Sequence, residues 1–423
     1  DEMAQYAIID KEEREGLIQR QSARHPSYAT IPSFYKKADP STPYGKWKQE
    51  GKKELLHKKS EKMWDCKIIR DLWSLLLDHC YVDLGDEKQN GTMDYAVYDK
   101  VRTQLIKDRN AKQQTETETY PIGAEPFLTS CSFFRLPKDE AGRLPILTFF
   151  NYILKKVTLY QTRVELGVNN ASGDGYLTES ELENYFYDLI PTLPALTPKL
   201  PEHFYPFYVC GAVRKFFFFL DPQRKGKISI DTLMQSSVLA ELMELQNASE
   251  DEECFGNWFA ATTAAKIYSH YVSLDTDRNG MLSQEEMYAY NDSSFTRLFV
   301  QRVFEVSQTY GGEMDYKKYI EFVLAVENPA SKPAFDFFWK ILDVRSEGFL
   351  TPFIIKMFYR EVQLKLQENN IDPVKLEDVV VEVFDMINPD KKLTVYRKDL
   401  ERVKNRDTII SMLVDYKDLE RVK

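Results

Sequence analysis

Asp275, Asp277 and Asn279 stand at alternate positions, Gly280 follows, and Glu286 closes the twelve-residue stretch D-T-D-R-N-G-M-L-S-Q-E-E. Every donor in it is an oxygen. A hard dication such as calcium takes about six to eight oxygens and has little use for nitrogen or sulfur. The spacing is that of an EF-hand loop. Asp275, Asp277 and Asn279 fill positions 1, 3 and 5, and the Met281 carbonyl fills position 7. Ser283 at position 9 can act through a water, and both oxygens of Glu286 can close the shell at position 12. Gly280 makes the sharp turn, and Leu282 at position 8 should point inward toward a partner loop. The candidate metal ligands are therefore Asp275, Asp277, Asn279, Met281 and Glu286, with Ca2+ as the cofactor.

Such a loop needs a helix on each side. Ile267, Tyr271 and Leu274 fall at i, i+4 and i+7 ahead of it, the apolar stripe of an entering helix. EF-hands come in pairs, and the partner is expected at the shortened turn Gly311-Gly312-Glu313-Met314-Asp315. That turn leads into a helix with Tyr319, Phe322, Val323 and Val326 on one face.

The same template finds weaker copies along the chain. Asn170–Glu181 keeps Asn170, Ser172 and Asp174 at the first ligand positions, then Gly175, Leu177 and Glu181, but loses two charges. Asp221–Thr232 keeps Asp221, Gly226 and Ile228, yet puts Lys225 at position 5 and Thr232 at 12. Asp343–Ile354 keeps Asp343, Glu347, Gly348 and Leu350, but has Arg345 at position 3 and Ile354 at 12. Asp86–Val97 retains Asp86, Asn90, Gly91 and Met93 without the closing acid. A glycine-then-aliphatic turn at Gly142 and Leu144 precedes a helical stripe of Ile153, Val157, Tyr160 and Val164, and the last turn is expected around Asn388–Leu393. These loops read as scaffold, with the Asn170 loop left open as a second metal site.

From about Trp73 onward the chain is thus expected to be four hand pairs. The fold class is all-α, an elongated array of paired EF-hand helix-loop-helix units, mostly degenerate. Four regions follow: an extended and basic helical N-terminal region over 1–70, a degenerate EF-hand region over 71–200, a region with the intact loop over 201–330, and a C-terminal degenerate region over 331–423.

The chain has 423 residues, 43% hydrophobic and 29% charged, enough to bury substantial cores. Its net charge of −10 argues against nucleic acid as a partner. The run of lysines from Lys46 to Arg70 reads as a solvated helix face. Five scattered cysteines, Cys66, Cys80, Cys131, Cys210 and Cys254, show neither zinc nor redox spacing, which suits a reducing, cytosolic compartment. No apolar run approaches membrane-spanning length, so no membrane partner is expected, and the first residues carry no signal-peptide pattern.

Prolines 191, 194, 198 and 201 mark an ordered or semi-rigid connector; Asn247–Cys254 and Ala111–Thr119 are polar insertions. Before Lys46 the chain should be extended. The string D-L-E-R-V-K occurs at Asp399–Lys404 and again at Asp418–Lys423, and nothing in the pattern explains the repeat.

No catalytic constellation emerges. There is no phosphate loop ending in G-K-S/T and no dinucleotide fingerprint. His79-Cys80 lacks the arginine six residues on that a phosphatase thiolate needs, since Asp86 stands there. The histidines are isolated. The residues describe a binding module, not an enzyme.

Several strings together resemble the B-double-prime regulatory subunits of protein phosphatase 2A, gamma type, which include the plant TONNEAU/FASS proteins. They are Thr30-Ile-Pro-Ser-Phe-Tyr35, Asp139-Glu-Ala-Gly-Arg143, Leu189-Ile-Pro-Thr-Leu193, Arg214-Lys-Phe-Phe-Phe-Phe-Leu-Asp221-Pro222, Asn257-Trp-Phe259, Gly312-Glu-Met-Asp-Tyr316 and Phe322-Val-Leu-Ala-Val-Glu-Asn328. The four-phenylalanine string is the most specific. The family's intact calcium loop coincides with Asp275–Glu286. Where members of this type continue past Leu413-Val414-Asp415 into an aromatic, acidic tail, this sequence runs into Tyr416 and the second D-L-E-R-V-K. The resemblance implies a non-catalytic adaptor that docks on the phosphatase scaffold and catalytic subunits. It also implies a cytoskeletal address at centrosomes, basal bodies or cortical microtubule arrays, with the nucleus allowed. The competing reading is a calcium-binding structural protein of a cytoskeletal or axonemal assembly, without a phosphatase.

Overall fold

The computed structural model describes residues 42–61, 63–82, 90–113, 127–197, 199–247 and 256–417. The chain forms two compact units, Asp1–Glu54 and Leu55–Lys423. In the first, the described residues begin the helix Pro43–Glu61, with Tyr44 and Trp47 exposed.

The second unit is all-α, and its helices are organised by four short antiparallel pairings of loops. Strand β1 (Thr92–Met93) pairs with β2 (Leu144–Pro145), and β3 (Tyr176–Thr178) with β4 (Lys227–Ser229). Leu282 and Met314 form a single bridge, and β5 (Phe349–Leu350) pairs with β6 (Val395–Tyr396). At the centre of each pairing an apolar residue faces another: Met93 and Leu144, Leu177 and Ile228, Leu282 and Met314, Leu350 and Val395. All eight are at most 2% exposed. These are the position-8 residues of eight hands in four pairs. The Gly311–Asp315 turn is the partner of the intact loop, as its spacing implies. The last hand needs one adjustment: its ladder residue is Val395, so the loop opened by Asn388 runs past Leu393.

The degenerate loops keep the shape without the ligands, and the first acid shows how. Asp275 accepts the amides of Asn279 and Gly280 at 3.1 and 3.0 Å. Asp221 accepts those of Lys225 and Gly226, and Asp343 those of Glu347 and Gly348. The acid at position 1 therefore holds the turn whether or not a metal can follow. Position 6 is glycine in these three loops with φ of +70, +81 and +79°, a region that L side chains enter at a cost.

Two clusters make the core. Trp64, Leu72, Tyr98, Phe133 and Phe149 belong to the one around the first pair, which ends at Val157. The other runs from Leu166 to Tyr416 through the remaining three pairs. The helix Ile146–Asn169 feeds both, with Ile153 and Val157 in one and Leu166 in the other. The proline connector is packed rather than loose. Leu193, Leu196 and Leu200 are buried and short 3-10 turns cover Ile190–Thr192 and Glu202–Phe204. The β3–β4 ladder joins residues on both sides of position 200.

The entering helix of the intact loop is Ala261–Leu274, with Ile267, Tyr271 and Leu274 buried as their spacing predicts. Its exit is less regular. Helix Gln284–Tyr288 stops after five residues, and Asn291, Asp292 and Ser293 then take left-handed conformations with φ of 50, 51 and 59°. The C-terminal end secures this kink. Ser294 donates to the buried Asp415 at 2.9 Å, the Thr296 amide donates to the Val414 carbonyl, and Lys417 reaches Asn291 and Asp292. Lys365, 8% exposed, lies over the ring of Tyr288 at 4.2 Å.

Among the described residues no helix is long and apolar enough to cross a membrane. Among the described residues no disulfide joins Cys66, Cys80, Cys131 and Cys210. The Thr30–Tyr35 string, Asp86, most of the Ala111–Thr119 and Asn247–Cys254 segments, Pro198, Cys254 and the second D-L-E-R-V-K lie outside the described residues.

Candidate metal centre

Helix Ala261–Leu274 delivers Asp275, and helix Gln284–Tyr288 delivers Glu286, so the two ends of the loop converge. Asp275, Asp277 and Glu286 each offer a carboxylate oxygen within 4.8 Å of the others, the one such acidic group among the described residues. Asn279 sits beside them, its Nδ2 donating to Asp277 Oδ2 at 3.1 Å and to the Glu313 carboxylate of the partner turn. The Met281 amide donates to Asn279 Oδ1 at 2.7 Å. Tyr271 pins the turn from beneath, donating its hydroxyl to the Gly280 carbonyl at 2.8 Å.

Glu286 is the best-held ligand. Its Oε1 accepts from the Thr276 amide and hydroxyl at 2.8 Å, and Oε2 accepts from the Ser283 amide and hydroxyl at 2.9 and 2.8 Å. Ser283 in turn is the N-cap of the exit helix, completing a capping box. Its position-9 role is thus joined by a structural one that the ligand template alone does not reveal. Burial pushes the Glu286 carboxyl up, but the bonds from Ser283 and Thr276 outweigh it and bring it from an ordinary 4.5 down to about 2. The group is ionised and aimed before any metal arrives.

A depressed carboxyl contributes stability above its unfolded value that is lost as pH falls through the folded one. In metal-free buffer, urea unfolding should find the native chain more stable than Glu286→Gln above pH 4.5. The gap should close as pH approaches 2. A gap that widens on acidification would contradict the assignment.

In the Asn170 loop the ligand-position side chains bond one another. The Ser172 hydroxyl lies 3.1 Å from Asn170 Oδ1 and 2.7 Å from Asp174 Oδ1, bridging the side chains a metal would otherwise gather. Glu181 closes the loop on the Ala171 and Thr178 amides. Asp174, partly desolvated, is held below its ordinary value mainly by the Ser172 bond. In the Asp221 loop Lys225 is exposed, and its amide bonds Asp221.

One buried cluster has no counterpart in the motif reading. Arg214, 6% exposed at the head of the phenylalanine string, contacts Glu179 and donates to Glu321 at 3.2 Å. Glu321 is also faced by Lys318 at 3.1 Å and Arg224 at 3.4 Å. A charge inside an apolar run was the available signal. Its partner, 107 residues away, was not legible.

The chain is similar to known proteins along most of its length. It is 39% identical over 394 residues to the human B″-gamma regulatory subunit of serine/threonine-protein phosphatase 2A, covering 92% of this chain and 83% of that protein. It is 33% identical over 400 residues to the Arabidopsis thaliana protein named as the probable B″ subunit TON2, covering 91% and 80%. A solved chain named PP2A PR70 holoenzyme superposes with a TM-score of 0.52 at 22% identity, over 58% of this chain and 93% of that one. No family model matches. With its four loop pairings and its identity to relatives from vertebrates and a plant, the chain belongs to the gamma-type B″ family of protein phosphatase 2A regulatory subunits, which are regulatory rather than catalytic.

Proposed function

We propose that this chain is a calcium-binding regulatory and targeting subunit of a protein phosphatase 2A heterotrimer, docking on the scaffold and catalytic subunits and directing them to microtubule-organising structures. The observation that carries the calcium part is the oxygen-only set of Asp275, Asp277, Asn279, the Met281 carbonyl and Glu286, in which three carboxylates already converge. Oxygen donors without nitrogen or sulfur favour a hard cation over zinc, and a flexible twelve-residue loop suits calcium better than the rigid octahedron magnesium demands. The solved relative carries "diCa" in its name, which supports the same ion. Bound calcium would neutralise the convergent carboxylates. The protein's own work is to hold Glu286 and Asp275 in place before binding.

The names of the relatives support the phosphatase part, as does the fold shared with the holoenzyme chain. The address at centrosomes, basal bodies or cortical arrays draws on the family resemblance. Tagged full chain should bring down scaffold and catalytic phosphatase subunits in equal amounts from native extract. Calcium should tighten that association modestly against chelator, and Asp275→Ala should remove the difference. Recovery of cytoskeletal proteins with neither phosphatase subunit would favour the axonemal reading instead.

A further inference from the structure

Where the second, third and fourth hand pairs meet, a cavity of about 280 Å3 opens to the surface. Phenylalanines 217 and 337 with prolines 222 and 333 form its apolar wall, and Arg214, Arg224, Lys318 and Lys340 line its polar side. Four carboxylates line it too, but each is engaged. Glu179 is held by Arg214 and Lys317, Asp336 by Arg397, and Glu321 by three cations. Asp221 is spent on the amides of its own loop.

The cations are less well served. Lys340 has no ion pair among the described residues, and Arg224, half-exposed, reaches Glu321 only at 3.4 Å. Arg214 is 6% exposed, and its Nε has no hydrogen-bond partner. Partial burial first, and then the positive charge of nearby Arg224, pull the Lys340 ammonium below its ordinary value. The supporting loop is a hand that keeps its first acid, Asp221, but has gained Lys225 and Lys227 at positions 5 and 7. Pro222-Gln223-Arg224-Lys225-Gly226-Lys227 carries three basic residues where the intact loop carries two of its acidic or amide ligands.

We propose that this cavity receives an oxyanion, a carboxylate or phosphate group, presented on an acidic peptide segment of a protein partner. An incoming anion relieves the repulsion between Arg224 and Lys340 and supplies an acceptor beside Arg214. Clustered arginines and lysines read such groups through charge-assisted hydrogen bonds. The volume lies just below the roughly 300–1,000 Å3 of small-molecule sites and suits one side chain, with the phenylalanine and proline wall left for its neighbours. This inference does not depend on phosphatase assembly, and the chain alone tests it.

Fluorescence anisotropy of the full chain at low salt would use three labelled peptides of one length: glutamate-rich, the same with a phosphoserine, and a glutamine control. Both acidic peptides should bind, inorganic phosphate should compete, and the control should not bind. Lys340→Glu should weaken binding by about tenfold or more, as should Arg224→Asn, which tolerates the left-handed φ of 51° at that position. Calcium affinity and Tm of both variants should match the native chain, which separates a lost site from a lost fold. Tighter binding of the phosphoserine peptide would identify phosphate as the group read, and equal binding would identify carboxylate as sufficient. Binding of neither acidic peptide, or binding that both variants leave unchanged, overturns the proposal.

Discussion

Glu286→Gln lowers calcium affinity by on the order of a hundredfold or more, about 2.8 kcal/mol at 1.4 kcal/mol per tenfold. The substitution removes one of three convergent carboxylates, and it removes the one able to offer two oxygens. In the native chain Thr276 and Ser283 already hold both oxygens of that carboxylate within the loop. Titration calorimetry on native chain and variant checks the result, with unfolding in chelator to show that the variant folds. One site is expected. Two equal sites in the native chain would mean that the Ser172 bridge yields to calcium, and undiminished binding by the variant would remove Asp275–Glu286 from the account.

Glu321→Gln should destabilise the fold by about 3 kcal/mol, in the range for breaking a buried ion pair by removing one member. Arg214 and Glu321 have side chains only 7% and 11% exposed, so solvent screens them little. Without the carboxylate, Arg214 keeps only Glu179 while Lys318 and Arg224 press on the same space. Pairing the change with Arg214→Met should therefore cost less than the two single effects summed, with a coupling of about 1–3 kcal/mol from urea unfolding. Strict additivity would show that these residues do not act as one cluster.

The contrast between these two sites explains what the sequence could and could not disclose. A calcium loop is written in twelve consecutive residues, so Asp275 to Glu286 and the position-8 residue Leu282 were legible at once. The weaker loops were found because Asp221 and Asp343 persist for a local reason, the bonds to their own loop amides. Pairing of Leu282 with Met314 followed from the habit of hands to come in twos. Long-range partners leave no such trace. Nothing near Arg214 names Glu321, and nothing near Ser294 names Asp415, 121 residues on. The proline run at 191–201 was legible as an ordered or semi-rigid connector because prolines punctuate, but its anchoring in a shared core through Leu193, Leu196 and Leu200 was not. The early stop of the exit helix at Tyr288 was also hidden, since the segment after it is held by residues more than 120 positions away.

That kink bears on the order in which the molecule can be completed. Three successive non-glycine residues in left-handed conformations cost on the order of 1–3 kcal/mol each, and persist only when their surroundings over-determine them. The groups that do so, Lys365, Val414, Asp415 and Lys417, are all made after the loop they brace. During synthesis, which runs from the N-terminus, the ligands Asp275 to Glu286 emerge well before their exit segment can be fastened. The kink beside the ion site is therefore fastened only after residues as far along the chain as Lys417 have been made.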